Sequence, residues 1–303
     1  MNITVQRFIY TGFVLVGVLA ACERPMPPNV EALGDGAFLY RSADQRSLFL
    51  VTDDGVIVTD PISASVATEY RAAIAAITDQ PVRFVVYSHY HWDRVAGAEV
   101  FTAEGAKVIA QEECARRFRD NPNDAVVTPD ITFSDRYEVT LGGKSLDLYY
   151  FGPSHGDCLT VFLARPANVL QIVDLIQPPR ASFPHDPNVP YVRPHNLREF
   201  FVALEQLVAD EGIETVVASR VAKAADGFTP AVGSVSVIGD QARFWHAIYD
   251  AVDTAEAEGN VGIDSFVRLK TIDLSVFEPY DGYRPEDLPV IMRRFVGFYD
   301  MGR

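Results

Sequence analysis

The tightest constraint on this chain lies in its first third, where Val82 to Tyr87 forms an apolar run, interrupted only by Arg83, that leads directly into Ser88-His89-Tyr90-His91-Trp92-Asp93. An apolar run of that kind reads as a strand buried on both faces, and the end of such a strand is where ligand sites collect in layered α/β proteins. In nearly extended backbone, residues two apart point the same way, so His89, His91 and Asp93 are expected to face one point. Two imidazoles and a carboxylate suit a divalent zinc or iron ion. The chain carries only six histidines, which argues against a chance pairing.

Around this segment, short strand-like runs alternate with helical ones, as in a layered α/β protein. Phe38 to Tyr40, Ser47 to Val51 and Val56 to Val58 read as a meander, turning at Asp53-Asp54-Gly55. Ser63 is placed to cap a helix running to Ile77, because Val66, Tyr70, Ile74 and Ile77 recur at helical spacing. A second round follows, with a short helix near Val95 to Phe101, a strand at Lys107 to Gln111, a helix from Glu112 and a hairpin at Gly142-Gly143. Strands Leu159 to Leu163 and Val169 to Val173, a helix from Asn196 to Ala209 and a strand from Thr215 to Ala218 complete it. Two such rounds predict two sheets packed face to face with helices outside. Helical patterns at Gly239 to Glu258 and Pro285 to Met301 are expected to form a cover or a dimer contact.

Three further residues stand where strands end. His155 follows the hairpin strand, in Gly152-Pro153-Ser154-His155, where glycine and proline let a loop turn the ring inward. Three histidines make an open zinc site that leaves a position for water and lowers its pKa. Asp174 closes the apolar strand ending at Val173, and a carboxylate there is costly without a cation or donors. Asp60 closes Val56 to Thr59 in the same way, although the following Pro61 makes a simple turn attractive.

Asp60, His89-x-His91-x-Asp93, His155 and Asp174, in that order, resemble the motifs of the metallo-β-lactamase superfamily over about Leu39 to Ser219. The resemblance implies the four-layer αββα sandwich. It gives His89, His91 and His155 the first metal, turns Asp93 and Asp174 toward a second, and has Asp60 brace the metal loop from behind. Two positions depart from the pattern. Arg94 stands where a second-site histidine usually follows the aspartate, and Ser219 falls in the stretch that usually supplies a last histidine. A fixed guanidinium beside a second cation is unfavourable at low dielectric, so that second site is expected to be weak or empty. Arg94 could instead hold an anionic substrate group. Cys158 could replace a lost ligand, though packing is the simpler reading. His185, in the proline-rich stretch 177–194, and His195, directly after it, read as exposed loop residues that could alternatively fold over the metal. His246 falls inside a helical pattern.

The N-terminus carries Arg7 and then an apolar run from Phe8 to Ala21, shorter than the roughly 20 residues a membrane-spanning helix needs. It reads as a signal peptide over residues 1–21. Leu19-Ala20-Ala21-Cys22 resembles the lipobox of bacterial lipoproteins. That implies a lipid anchor at Cys22 and, with Glu23 next, the periplasmic face of the outer membrane. Residues 22–36 then form a tether, and 37–303 one domain with a C-terminal helical extension. Cys114 and Cys158 could pair in an oxidising compartment or lie as two small buried thiols, the latter being the expectation. The formal charge of -15 repels a polyanionic backbone, which excludes nucleic acid as a partner.

The expected activity is hydrolysis of a small periplasmic ester, thioester, lactone or lactam by a metal-bound hydroxide. Asp93 would orient the attacking water or take its proton. The cofactor is zinc, one ion firmly and a second uncertain, with iron as the alternative. The rival reading, motivated by Arg94 and Ser219, is a non-catalytic metal-binding or scaffold lipoprotein that retains the fold.

Overall fold

In a computed structural model of the chain, residues 25–184, 191–221, 223–224, 227–228, 230–260 and 262–301 are described. The stretch expected as a signal peptide, with Cys22, Glu23 and His185, lies outside them. The first sheet has seven strands in sequential order: β1 (Val30–Gly34), β2 (Ala37–Ser42), β3 (Gln45–Val51), β4 (Val56–Thr59), β5 (Val82–Val86), β6 (Lys107–Gln111) and β7 (Ile131–Phe133). β1 to β4 form an antiparallel meander, and β4 to β7 are parallel. Helix α1 (Ala64–Ile77) connects β4 to β5, and α4 (Glu112–Asp120) connects β6 to β7.

The second sheet comprises β8 (Arg136–Leu141), β9 (Lys144–Tyr150), β10 (Thr160–Arg165), β11 (Val169–Ile172), β12 (Thr215–Val217) and β15 (Val232–Ser234), in the order β15-β12-β11-β10-β9-β8. A separate two-stranded hairpin joins β13 (Lys223–Ala224) to β14 (Gly227–Phe228). Strand alternation builds two cores. Leu48, Leu50, Ile57 and Val86 point inward and meet Leu146, Leu148, Val161 and Leu163 of the second sheet. Phe49, Val56, Val58 and Val85 point the other way, onto Ala67, Tyr70 and Ile74 of α1. Both faces of the first sheet are therefore largely buried, which is why β4 is apolar from Val56 to Val58 and β5 is apolar apart from Arg83, which lies exposed near its start. Helices α5 (Pro194–Glu211), α6 (Ser236–Ala257) and α7 (Leu288–Met301) complete the αββα layering.

Most expected elements stand where the sequence places them, including the Ser63 cap, whose hydroxyl accepts from the Val66 N–H at 3.4 Å. Three differ. The helix expected near Val95 to Phe101 is two single turns, α2 (Trp92–Val95) and α3 (Glu99–Thr102). Gly97 separates them at φ +95°, and a Cβ there would meet the Ser63 backbone at 2.4 Å. Residues 30–34, expected in the tether, pair with β2 as the edge strand. Cys114 and Cys158, expected as separate thiols, form a disulfide with Cα atoms 5.4 Å apart. It fastens α4 to the loop that follows His155, which removes Cys158 as a metal ligand.

Candidate metal centre

β5 ends beneath the site. Asp60, after β4, is fully enclosed, and its Oδ1 accepts the Ser88 N–H at 2.8 Å, bracing the turn that presents His89. Burial pushes the Asp60 carboxyl up to about 7, although its hydrogen bonds with Ser88 and the positive charge of Arg94 act against that. The Ser88 hydroxyl lies 2.8 Å from His89 Nδ1, fixing the ring with Nε2 facing inward. His91 sits at the N-cap of α2. His155 enters from the loop after β9. There Gly156, at φ +77°, allows Tyr90 to pack so closely that a Cβ would come within 2.7 Å of its ring.

The three imidazoles converge, with ring centroids 4.4 Å apart for His89 and His91, 5.1 Å for His89 and His155, and 5.0 Å for His91 and His155. One ligand atom from each histidine and from Asp174 all lie within 4.8 Å of one another. The Nε2 atoms of all three histidines are buried and lack a hydrogen-bond partner among the described residues. Buried polar atoms are rarely left so, and three lone pairs aimed at one point are satisfied together by a cation. Burial lowers the pKa of each ring, His89 well below its ordinary value and His155 to about 4, so the neutral, metal-ligating form is maintained. The donor set fits a divalent transition ion.

The second half of the site is built differently. Asp174, following β11 with φ 58°, belongs to the four-residue group. Its carboxylate is also gripped by Arg94, through Nε to Oδ2 at 3.2 Å and through Nη2 to Oδ1. Arg94 is fully buried. It further donates from Nη1 to the Ser219 carbonyl at 3.2 Å and from Nη2 to the Ser219 hydroxyl at 3.1 Å. Arg220 Nε reaches Asp174 Oδ1 at 3.2 Å, and Gln177 Oε1 accepts from the backbone N–H groups of Ser219 and Arg220. Burial raises the Asp174 carboxyl, but the charge and hydrogen bond of Arg94, with the histidines adding to them, hold it far below the usual carboxylate range.

A guanidinium thus fills the space where the pattern has a second cation, and Arg94 is spent on Asp174 and Ser219 instead of reaching a substrate. Asp93 departs from its expected place. Its side chain is 57% exposed and pairs with Arg220 at 2.5 Å, outside the metal-ligating group. With Arg94 already neutralising Asp174, Arg220 draws Asp93 to the rim. His195 lies exposed at the start of α5 against Phe298, at 5.5 Å, and His246 lies within α6. Neither belongs to the group. Gln177, Arg220 and Tyr191, whose ring lies 4.5 Å from that of His91, complete the surroundings. No local pattern announces them, because each acts only through a partner distant in sequence.

His91 and His155 open into a cavity of about 920 Å³ walled by Trp92, Phe118, Phe183, Tyr191 and Trp245, with Arg117 and Arg220 among its polar side chains. Gln241 and Trp245 come from α6, and Gln241 holds the Ser182 backbone at both its N–H and carbonyl, so the C-terminal extension serves as a cavity wall.

A two-sheet sandwich flanked by helices, with an imidazole-rich group placed to hold a metal ion at the ends of its strands, defines a class of protein. Residues 42–220 match the metallo-beta-lactamase superfamily, and the chain belongs to it. It is 28% identical over 155 residues to the 2,4-dinitroanisole O-demethylase subunit alpha of Nocardioides sp. (strain JS1661), a match covering 50% of this chain and 45% of that protein's length. Among solved structures, the metallo-beta-lactamase from Pontibacter korlensis superposes with a TM-score of 0.60 at 20% identity, covering 72% of this chain and 98% of that one, a likeness of fold.

Proposed function

We propose that the chain is a hydrolase working with a single resident metal ion, zinc before iron, on a small ester, thioester, lactone or lactam. The observation that carries this reading is the convergence beside an open cavity of three buried Nε2 atoms that have no hydrogen-bond partner among the described residues. An ion held by His89, His91 and His155 would supply Lewis-acid polarisation and a water of lowered pKa. The protein's own groups do the rest. The imidazoles stay neutral through burial, and Asp174 lends its negative charge while Arg94 and Ser219 hold it still. Asp93, in the cavity wall with Oδ2 tied to Arg220, takes the proton of the attacking water on its other oxygen.

A relative that acts as an O-demethylase subunit fits cleavage of a carbon–oxygen bond by the same site. We further propose export, with lipidation at Cys22 and residence at the periplasmic face of the outer membrane. The Cys114–Cys158 disulfide supports an oxidising compartment. The filled second site also favours one rival, a metal-binding scaffold without turnover. Purified metal-loaded protein assayed on a panel of esters, lactones, thioesters and lactams separates the two. Turnover that disappears in His91→Ala supports the enzyme, and full metal occupancy with no turnover supports the scaffold.

A further inference from the structure

The charges around the cavity separate the substrate classes. Arg94 is bound to Asp174, and Arg220 is shared among Asp93, Asp174 and Asp44. Arg117 pairs with Asp157, which also accepts from Arg193 at 2.7 Å. No lysine lines the cavity among the described residues. Apart from an ion on the histidines, a carboxylate-bearing lactam or an anionic thioester carrier would have to break an existing pair to gain a partner, at the cost of leaving a half-buried charge uncompensated.

The apolar lining points the other way. Of the large hydrophobic side chains exposed among the described residues, two border this cavity, Trp92 at 50% and Tyr191 at 41%. Tyr191 stands directly against His91. Behind them, Phe183 is fixed edge-on to Phe244 at 5.0 Å and to Tyr283 at 5.1 Å, and Trp245 stacks on Phe295 at 5.8 Å. These rings are held rigidly before any ligand arrives, and preorganised aromatic walls favour flat, polarizable partners over saturated ones of equal size.

We infer that the cavity takes an uncharged aromatic ester, with its ring against Trp92, Tyr191 and the Phe183 and Trp245 wall and its carbonyl at the histidines. This rests on the hydrolase reading above. In the reaction, the oxygen of water bonds to the acyl carbon and the bond from that carbon to the bridging oxygen breaks. Its electron pair leaves with the bridging oxygen, which takes up one proton of the water, and the other is released as the acid ionises. Trp92 and Tyr191 set specificity.

Both tryptophans of the chain line the cavity, so their emission reports binding directly. The test titrates zinc-loaded full-length protein with acetophenone, with cyclohexyl methyl ketone as the saturated counterpart, and with benzenesulfonate, an aromatic anion that ligates metals poorly. The inference expects acetophenone to bind about tenfold more tightly than either, a preference of the size aromatic pairing supplies. In Trp92→Ala, with Trp245 as reporter, the preference should fall to about twofold while the melting temperature holds. Equal or tighter binding of the saturated ketone or of the sulfonate overturns the inference. Turnover of methyl benzoate is measured alongside. Ring preference without hydrolysis overturns the hydrolase reading and leaves the cavity assignment standing, whereas hydrolysis without ring preference does the reverse.

Discussion

Replacing Arg94 by methionine keeps much of the side-chain volume and removes the charge, so it isolates what the guanidinium does. In the native chain, Arg94 is enclosed and donates to both oxygens of Asp174 and to the carbonyl and hydroxyl of Ser219. Asp174 is itself only 11% exposed, so the variant leaves a mostly buried carboxylate short of its main partner. Breaking one side of a buried pair costs about 3–5 kcal/mol. Arg220 still reaches Asp174 at 3.2 Å, so the lower end, about 3 kcal/mol, is expected for the metal-free protein at neutral pH. In a melting experiment that is a fall of roughly 6–12 °C.

The pH dependence has a definite sign. In the native chain the Asp174 pKa lies below its unfolded value, so the stability it contributes is present above about pH 4 and is lost as pH falls through the folded value. In Arg94→Met, burial without the guanidinium raises the carboxyl, which takes up a proton as pH falls. The gap between the two proteins should therefore be widest at and above neutrality and should narrow in acid. Added zinc should recover more stability in the variant than in the native chain, because a cation replaces the missing positive charge. A melting temperature within about 1 °C of the native value across pH 5–8 would refute the claim that Arg94 compensates Asp174.

Two further perturbations probe the supports of the site. Asp60 has a folded pKa near 7 against about 3.9 unfolded, so the metal-free chain should lose stability as pH rises from 4 to 7, by roughly 4 kcal/mol for a shift of this size. Asp60→Asn, which keeps an acceptor for the Ser88 N–H, should flatten that slope in urea titrations, and an unchanged slope would contradict it. Converting Cys114 and Cys158 together to alanine opens a link spanning 44 residues and should cost about 4 kcal/mol. Comparable unfolding midpoints for the two proteins would place the loop's rigidity elsewhere.

Much of this architecture was legible in the sequence because the features that carry it are local. The run Val82 to Tyr87, the Ser63 cap and the Gly142-Gly143 turn each act over a few residues, and each stands where its pattern predicts. The histidine triad was legible for a related reason. His89 and His91 share one strand end, and the Gly152-Pro153 turn presents His155. What sequence spacing could not determine is which way Asp93 turns, because that depends on Arg220, 127 residues away. The same holds for Arg94, whose partners Asp174 and Ser219 are 80 and 125 residues distant. The disulfide was equally hidden, since neither cysteine has a neighbour that marks its partner. The break at Gly97 follows from a close approach to the Ser63 backbone, which no helical periodicity reveals.

Elemental analysis of the purified full-length chain beside its His89→Ala, His91→Ala, His155→Ala and Asp93→Ala variants tests the metal centre most directly. One tightly held transition-metal ion per native chain, kept by the Asp93 variant and lost from each histidine variant, is the predicted result. A native chain that retains no metal at micromolar zinc, or histidine variants that hold as much as the native chain, would contradict a site built on these three rings.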